Sequence, residues 1–169
     1  HVIKDNRPNE EVGIITVDGI EHNWDSKSLI KVANVDMAVF TFKSKKNYAI
    51  ATLGNLNEIY MGKKSFVAGF PLSSPSIPIR LLRFTRGEVI ANANTQIPDG
   101  YQLLYSNLTL PGMSGGGVFN SVGELIGIHG RSEFATINDQ GKLIASGTNQ
   151  GIPINFYKND FTIQFFCLI

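Results

Sequence analysis

The segment from Leu110 to Phe119, Leu-Pro-Gly-Met-Ser-Gly-Gly-Gly-Val-Phe, contains the residue types from which a nucleophilic site can be built. A nucleophilic serine must lie exposed on a tight turn, with backbone N–H groups directed at the oxygen that becomes negative during attack. Gly112 tolerates backbone conformations that a Cβ would hinder, so its N–H and that of Ser114 can point to one side. A flexible glycine turn without a catalytic role would have the same sequence, so the surrounding residues must distinguish the two.

The chain after Ser114 argues against one of the two common nucleophile arrangements. In the Gly-x-Ser-x-Gly elbow of α/β-hydrolases a helix follows the serine, and the acid and the histidine come later. Here apolar runs at 117–119 and 125–129 flank a turn, which predicts strand, turn and strand. His129 is too close behind Ser114 for an acid-bearing strand to lie between them. The order histidine, aspartate, serine has to be sought upstream.

One upstream aspartate, Asp36, lies at the start of the otherwise apolar run Val35 to Phe40. It could accept the Nδ1–H of a histidine, fix its tautomer and stabilise the imidazolium. It could equally be an ordinary residue of a turn or a strand end. Two histidines precede it: His22 lies in the polar stretch 21–24, which predicts a solvated hairpin end, and His1 precedes an apolar step and a polar loop.

Three segments resemble the signature motifs of trypsin-like serine proteases, in particular the bacterial branch without disulfides. They are His1-Val-Ile, which resembles the residues after the alanines of the histidine motif, Asp36-Met-Ala-Val, which resembles the strand with the triad acid, and Gly112-Met-Ser-Gly-Gly-Gly117, which resembles the nucleophile loop. The chain is also similar to trypsin-like peptidase domains from cyanobacteria over essentially its whole length. The resemblance implies a chymotrypsin-like fold with two β-barrels.

The resemblance also implies a function, a serine endopeptidase that hydrolyses polypeptides through an acyl-enzyme. His1 is then the general base, Asp36 its orienting acid and Ser114 the nucleophile. The N–H groups of Gly112 and Ser114 form the oxyanion hole. No metal or organic cofactor is required, and residue spacing suggests none. A second class of function stays open: a catalytically inactive or truncated protease-fold module that binds peptide segments.

The residues around the substrate side chain before the scissile bond are inferred from the same resemblance. Leu108 stands where trypsin carries the acid that binds Arg or Lys, so a basic side chain finds no counter-ion there. Thr109 and His129 match, in type and spacing, the residues with which bacterial glutamyl endopeptidases bind a carboxylate, and Arg131 is near enough in sequence to add positive potential. Cleavage after Glu, or Asp, is one hypothesis. The alternative is cleavage after a small apolar residue, because Thr109 could simply cap a turn and His129 could simply pack in a strand.

Several features depart from the family pattern. Met113 precedes the serine where digestive enzymes have an aspartate that pairs with a new N-terminal amine, so that ion pair is excluded and the loop must be held by packing or by substrate. Gly117 replaces the usual proline. The strands that precede the histidine motif in the family are missing from this sequence. We therefore expect the first barrel to be incomplete at its N-terminal side, with exposed strand edges.

The composition limits the other classes of function and partner. The 169 residues are 43% hydrophobic, which is enough for one ordinary domain or two small halves. A net charge of +1 gives no electrostatic reason to expect a nucleic acid or a membrane surface as partner. The single cysteine, Cys167, excludes an intrachain disulfide and a cysteine-based zinc site. No apolar run approaches the length of a membrane span. The oligomeric state stays open, and the resemblance implies a periplasmic or secreted location.

Short strands must position these residues. Recurrent glycine turns and clusters of β-branched and aromatic residues predict an all-β fold of antiparallel strands. The predicted strands are 12–17, 29–32, 37–42, 65–70, 79–85, 88–93, 101–105, 117–119 and 125–129. The prolines between 71 and 78 predict a connection, so residues 1–70 are assigned to the remainder of the first barrel and 79–169 to the second barrel with a C-terminal segment. Its last part, 154–166, suits a helix or a strand.

Overall fold

The computed structural model of the protein describes residues 2–3, 13–93, 95, 97–138 and 140–155. These residues form two short 3-10 turns, Leu56–Glu58 and Pro98–Gly100, and nine strands. The strands are β1 Gly13–Ile15, β2 Glu21–Lys31, β3 Ala38–Phe42, β4 Lys64–Gly69, β5 Arg83–Asn92, β6 Leu103–Tyr105, β7 Gly117–Phe119, β8 Leu125–Ile137 and β9 Leu143–Pro153. The prediction of an all-β fold is confirmed.

The first three strands form an antiparallel sheet in the order β1-β2-β3. Its second strand is longer than predicted, because it includes the polar stretch around His22 that the sequence placed at a solvated hairpin end. The hairpin position is correct, since β1 pairs with β2 at residues 21–23, but the His22 side chain is half-buried rather than solvated. Alternate side chains of β2 turn to a half-buried face, where the His22 ring packs 5.0 Å from the Phe42 ring and lies 3.0 Å from the Tyr48 hydroxyl.

The other six strands close a barrel in the order β4-β5-β6-β9-β8-β7, with β7 pairing back onto β4. Two predicted strands, 79–85 and 88–93, are one strand, β5, which runs through Gly87. A Cβ at Gly87 would lie 2.5 Å from the Asn107 backbone nitrogen, so the glycine allows close approach of two backbones inside a strand. The chymotrypsin-like fold prediction is supported by this closed barrel beside a second sheet.

Strand β9 was not predicted, and β8 continues eight residues past the predicted end at His129, to Ile137. Both strands contain glycines that read as turn signals in the sequence, such as Gly130 and Gly147. Long antiparallel pairing between β8 and β9, with register shifts that absorb the irregularities, keeps these segments extended. Local turn propensity is thus overridden by cross-strand pairing.

Two buried clusters form the core. One fills the barrel and includes Val67, Leu103 and Met113. The other joins Met37, next to Asp36, with barrel residues including Tyr101 and Ile152. The three-stranded sheet and the barrel therefore share buried contacts at the position where the candidate acid lies.

The division of the chain into two separate units, residues 1–70 and 79–169, remains a prediction. Strand pairing places β4, which that division assigned to the first half, in the closed barrel. The predicted C-terminal segment begins with Ile154, which is fully buried. Its residues from 156 onward lie outside the described part of the chain.

Candidate active site

An open cleft of about 1550 Å³ is bordered by both halves of the molecule. Ser114 and Gly115 line it from the barrel, and Asp36 lines it from the start of β3. His1, the predicted base, lies outside the described residues. Its neighbour in the chain, Val2, also lines the cleft, and a Cβ on Gly115 would lie 3.7 Å from Val2 Cγ2. The fold therefore brings Asp36, Ser114 and the residue after His1 to one cavity.

The nucleophile loop, residues 112–117, is anchored in the barrel core by Met113, the residue that replaces the family's aspartate. Its side chain is 1% exposed and belongs to the barrel core. Two backbone hydrogen bonds, from Met113 N–H to Leu110 C=O (3.1 Å) and from Gly116 N–H to Met113 C=O (3.0 Å), make the turn that raises Ser114 between them. Packing of an apolar side chain thus holds the loop where an ion pair was excluded by sequence.

Strand β8 fixes the loop from the side. Gly115 N–H donates to His129 C=O (2.8 Å), and His129 N–H donates to Gly116 C=O (2.7 Å). The Ser114 hydroxyl donates to Gly130 C=O at 2.7 Å. The hydroxyl of the candidate nucleophile therefore rests on a backbone carbonyl of β8, and it has to release that carbonyl before a base can take its proton.

The peptide bond before Gly112 is fixed in direction by a hydrogen bond to its carbonyl. The Pro111 carbonyl accepts a hydrogen bond from Leu72 N–H at 2.8 Å, and in a trans peptide the N–H of the next residue points the opposite way. Gly112 N–H is therefore directed away from Leu72. Gly112 has φ +93°, and a Cβ there would lie 2.7 Å from Leu72 N, so only glycine suits this position. Among the described residues, neither Gly112 N–H nor Ser114 N–H donates to another backbone group.

Arg80, which no motif of the sequence singled out, binds the next peptide, Gly112–Met113, through the Gly112 carbonyl. Its guanidinium donates to three backbone carbonyls: Nη2 to Phe70 (2.5 Å) and Gly112 (3.2 Å), and Nε to Pro71 (3.3 Å). A planar guanidinium suits several acceptors at once because its N–H groups have a fixed geometry. Arg80 thus clamps the oxyanion loop to the end of β4.

Asp36 is held by two residues of the segment before β6, Asp99 and Tyr101. Its backbone N–H donates to Asp99 C=O at 2.8 Å, and its carboxylate Oδ2 accepts the hydroxyl of Tyr101 at 2.6 Å. Tyr101 is buried at the start of the β6 region. Burial, together with the hydrogen bond to Asp36, raises the pKa of the Tyr101 hydroxyl, so it stays a protonated donor.

Two of the three predicted pocket residues do not present free groups to the cleft. The Leu108 side chain is 69% exposed on the surface. The Thr109 hydroxyl donates to Asn149 Oδ1 at 2.7 Å, and the Asn149 amide donates to Asn107 C=O at 2.6 Å. Arg131 is also engaged, since its guanidinium lies 4.1 Å above the centre of the Tyr101 ring and bonds Gln150 and Asp99. Thr109 and Arg131 would have to leave these partners to reach a substrate carboxylate.

His129, the third pocket residue, lines the cleft beside Ser114 and is almost fully buried. Tyr105 Oη lies 2.6 Å from His129 Nδ1 and 3.3 Å from Gln150 C=O. A neutral imidazole carries one proton, so Tyr105 Oη either donates to Nδ1 or accepts from Nδ1–H while it donates to Gln150 C=O. Burial lowers the pKa of His129 to about 4, so the ring is neutral at pH 7. Nε2 makes no hydrogen bond to any residue that the structure describes.

Sequence reasoning missed Tyr101, Tyr105 and Arg80. A signal for the two tyrosines exists, because Tyr101, Leu103 and Tyr105 alternate along one predicted strand and alternate side chains share a face. All three are buried. No local pattern marks Arg80, since its partners are backbone carbonyls distant in the sequence.

In the part of the chain that the structure describes, no group of three or more His, Cys, Asp or Glu side chains is placed to hold a metal ion. Over the same residues, no helix has the length and apolar character needed to cross a membrane. The groups that line the cleft near Ser114 are those of acid–base and nucleophilic chemistry, a hydroxyl, a carboxylate, an imidazole and free backbone N–H groups.

Comparison with known proteins decides the family. A family model described as the trypsin-like peptidase domain matches residues 1–128, more than half of the 169 residues. The chain belongs to the trypsin-like peptidase family. The resemblance inferred from the three motifs is confirmed at this level, and this trypsin-like protease carries its Gly-Met-Ser-Gly-Gly segment at the cleft.

Individual relatives agree with the family. Exfoliative toxin A of Staphylococcus aureus is 33% identical over 104 residues, which is 57% of this chain and 34% of the toxin. The HtrA-type protease AlgW, solved as a variant with a tripeptide, is similar in structure with a TM-score of 0.64 at 23% identity, over 87% of this chain and 45% of that chain. The same protease variant with a decapeptide gives 0.62 at 24% identity, over 85% and 40%. The chain thus spans less than half the length of these proteins.

Proposed function

We propose that this protease-family chain is a serine endopeptidase in which His1, Asp36 and Ser114 act as the triad. Three features of the cleft support the proposal. Ser114 is raised on a turn with a buried anchor, Asp36 lines the same cavity, and Val2 brings the chain directly after His1 beside the nucleophile loop. A periplasmic or secreted location stays a prediction of the same proposal.

The proposed reaction is acyl transfer. His1 takes the proton of the Ser114 hydroxyl as Oγ leaves the Gly130 carbonyl and forms a bond to the carbonyl carbon of the scissile peptide. The imidazolium, stabilised by Asp36, gives that proton to the leaving amine as the C–N bond breaks. Water then attacks the acyl-enzyme in the same way, His1 again accepting and returning the proton, and the carboxylic acid product leaves with Ser114 regenerated.

One observation carries the proposal more than the others: the direction of the peptide bond before Gly112. Because the Pro111 carbonyl is bound to Leu72 N–H, the Gly112 N–H faces away from Leu72 and joins the Ser114 N–H as a donor without a backbone partner among the described residues. Two such donors stabilise the oxyanion of the tetrahedral intermediate, and each is worth about 3 kcal/mol of barrier in proteases. A simple glycine turn has no need of this orientation.

Labelling with a fluorophosphonate probe tests the proposal. We expect the purified chain to be labelled at Ser114, and Ser114→Ala to lose labelling and at least about 10³-fold in peptide hydrolysis. Ser121→Ala, on an exposed turn, is the matched control and keeps both. An unlabelled wild-type chain that still binds unstructured peptides would contradict the proposal and support the alternative of an inactive peptide-binding module.

For the substrate side chain before the scissile bond, we propose an acidic residue, Glu or Asp. The supporting group is the buried His129 ring at the cleft, whose Nδ1 contacts Tyr105 and whose Nε2 has no hydrogen-bond partner among the described residues. In its charged form the ring carries a proton on Nε2 that a carboxylate can accept. A carboxylate bound there favours the charged imidazole and raises its pKa from about 4 on binding. The rival remains a small apolar side chain.

A peptide library cleaved by the chain distinguishes the two. We expect Glu to exceed the isosteric Gln by at least tenfold in kcat/KM, roughly the 1.4 kcal/mol that a charge-assisted hydrogen bond adds. His129→Gln should abolish that difference, whereas Thr109→Val should reduce it less because the Thr109 hydroxyl is engaged by Asn149. Preference for Val, Ala or Leu, or an unchanged Glu preference in His129→Gln, would count for the rival.

A further inference from the structure

The carboxylate of Asp36 has a partner that comes from the opposite half of the molecule. The Tyr101 hydroxyl donates to Asp36 Oδ2 at 2.6 Å, and the Tyr101 side chain is 1% exposed. Asp36 belongs to the turn before β3, whereas Tyr101 precedes β6 of the barrel. A hydroxyl donor buried at a carboxylate gives a charge-assisted hydrogen bond, which is stronger and better oriented than a neutral one.

Gly130 provides the space for this contact. A Cβ at Gly130 would lie 2.1 Å from Tyr101 Cε1 and 2.4 Å from Tyr101 Oη, so any side chain there would displace the phenol. Gly130 is also the residue whose carbonyl accepts the Ser114 hydroxyl. Gly130 of β8 therefore contacts the nucleophile through its carbonyl, and because it has no side chain it leaves room for Tyr101.

The tyrosine is held in place by charged and backbone groups around it. The Arg131 guanidinium lies 4.1 Å above its ring centre, a cation–π distance, and also pairs with Asp99 at 3.3 Å. The Asp99 carbonyl in turn accepts the Asp36 N–H. Asp99, Arg131 and Tyr101 thus form one connected support around Asp36, and each member comes from the barrel side of the chain.

From these contacts we infer that Tyr101 is a positioning residue for the reaction of this site, which fixes the orientation of the Asp36 carboxylate through its hydroxyl. The inference rests on the proposed function, in which Asp36 orients His1. A carboxylate with one oxygen held by Tyr101 keeps its other oxygen in a defined direction, so the histidine partner is bound in a single geometry. The hydroxyl does not touch the substrate, and its whole effect passes through Asp36.

A double-mutant cycle of Tyr101→Phe and Asp36→Asn tests this route, because it measures whether two residues act through each other. The rate of fluorophosphonate labelling at Ser114 is measured for the wild type, both single variants and the double variant of the full chain. We expect Tyr101→Phe to slow labelling about tenfold in the wild-type background and less than about twofold in the Asp36→Asn background. Tyr60→Phe, at an exposed tyrosine, is the matched control and leaves the rate unchanged.

Thermal unfolding midpoints of the same four proteins separate this inference from the proposed function. The hydrogen bond predicts that Tyr101→Phe lowers the midpoint in the wild-type background and much less in Asp36→Asn. An unlabelled wild type would overturn the proposed function and, with it, the positioning role of Tyr101, even where coupled midpoints confirm the Tyr101–Asp36 hydrogen bond. A labelled wild type that Tyr101→Phe slows equally in both backgrounds, or not at all, would overturn the inference.

Discussion

At the scale of single residues, the cleft depends on groups whose protonation is set by burial. His129 sits beside the nucleophile loop with its Nδ1 on the buried Tyr105 hydroxyl. Removal from water disfavours the imidazolium and lowers the pKa of His129, and the same burial raises the pKa of Tyr105. The pair is therefore neutral in the resting protein. A neutral ring costs little to desolvate, and under the proposed specificity it takes up a proton when an acidic side chain binds.

This burial predicts a pH dependence of stability. In the unfolded chain the imidazole has its ordinary pKa of 6.5, and in the folded chain the value is about 4. Between these values the unfolded state binds a proton that the folded state does not, so the free energy of unfolding decreases as the pH falls from about 6.5 to about 4. The loss from His129 is on the order of 3 kcal/mol.

Chemical denaturation at pH 7 and pH 4 measures this loss. We expect the free energy of unfolding to differ less between pH 7 and pH 4 in His129→Gln than in the wild type, by roughly that amount. The comparison of the two differences cancels any pH-independent cost of the substitution. Equal differences in the free energy of unfolding would mean that His129 binds its proton in the folded chain as readily as in the unfolded chain. Its burial would then not exclude the charge.

At the scale of elements, the oxyanion loop is shaped by two segments that are far from it in sequence. The segment after β4 supplies Leu72 N–H, which binds the carbonyl of the peptide before Gly112. The connection before β5 supplies Arg80, whose guanidinium joins the Phe70, Pro71 and Gly112 carbonyls. With Met113 buried in the barrel, the loop needs no terminal amine to hold it. The proline-rich segment between β4 and β5 of the barrel thus contributes to the candidate site.

Replacement of Arg80 tests that clamp. We expect Arg80→Ala to slow fluorophosphonate labelling of Ser114 about tenfold, because the Gly112 carbonyl loses a charge-assisted hydrogen bond and the proposed oxyanion loop is held less firmly. Arg80→Lys should be intermediate, since an ammonium lacks the fixed fork of the guanidinium. Arg86→Ala, at an exposed position of β5, is the control and keeps the wild-type rate. A rate in Arg80→Ala equal to that of the control would mean that packing of Met113 alone holds the loop.

At the scale of the whole molecule, the sheet β1–β3 and the barrel share a hydrophobic cluster. Met37 of the sheet side packs in one cluster with Tyr101, Leu125 and Ile152 of the barrel side. Asp36 lies one residue away, so the contact that joins the two halves also sets the distance between the candidate acid and the nucleophile loop. We expect the two halves to unfold together rather than as independent units.

Met37→Ala tests this shared core. Truncation of a buried methionine costs about 2–5 kcal/mol, and we expect one calorimetric transition shifted to lower temperature, with slower labelling of Ser114. Met61→Ala, at a methionine that is 75% exposed, is the matched control and leaves the transition and the labelling rate close to wild type. Two separate transitions in Met37→Ala would show that the sheet and the barrel fold independently.

The sequence by itself determined the family, the all-β class and the segment that carries the candidate nucleophile. These features depend on local patterns. The glycines around Ser114 have conformational freedom that other residues lack, Asp36 is set off by apolar neighbours, and short runs of β-branched residues between turns predict strands. Met113 also sufficed to exclude an ion pair with the N-terminal amine.

Only the tertiary structure decided what surrounds those residues. Strand β9 and the extension of β8 exist because the two strands pair with each other, and no local pattern in their glycine-containing sequences predicts that pairing. The contacts Tyr101–Asp36, Tyr105–His129 and Thr109–Asn149 join residues that are 65, 24 and 40 positions apart. Hydrogen bonds of this kind depend on the relative placement of strands, which long-range packing sets. For that reason no local pattern indicates that the hydroxyl of Thr109, a predicted pocket residue, donates to Asn149.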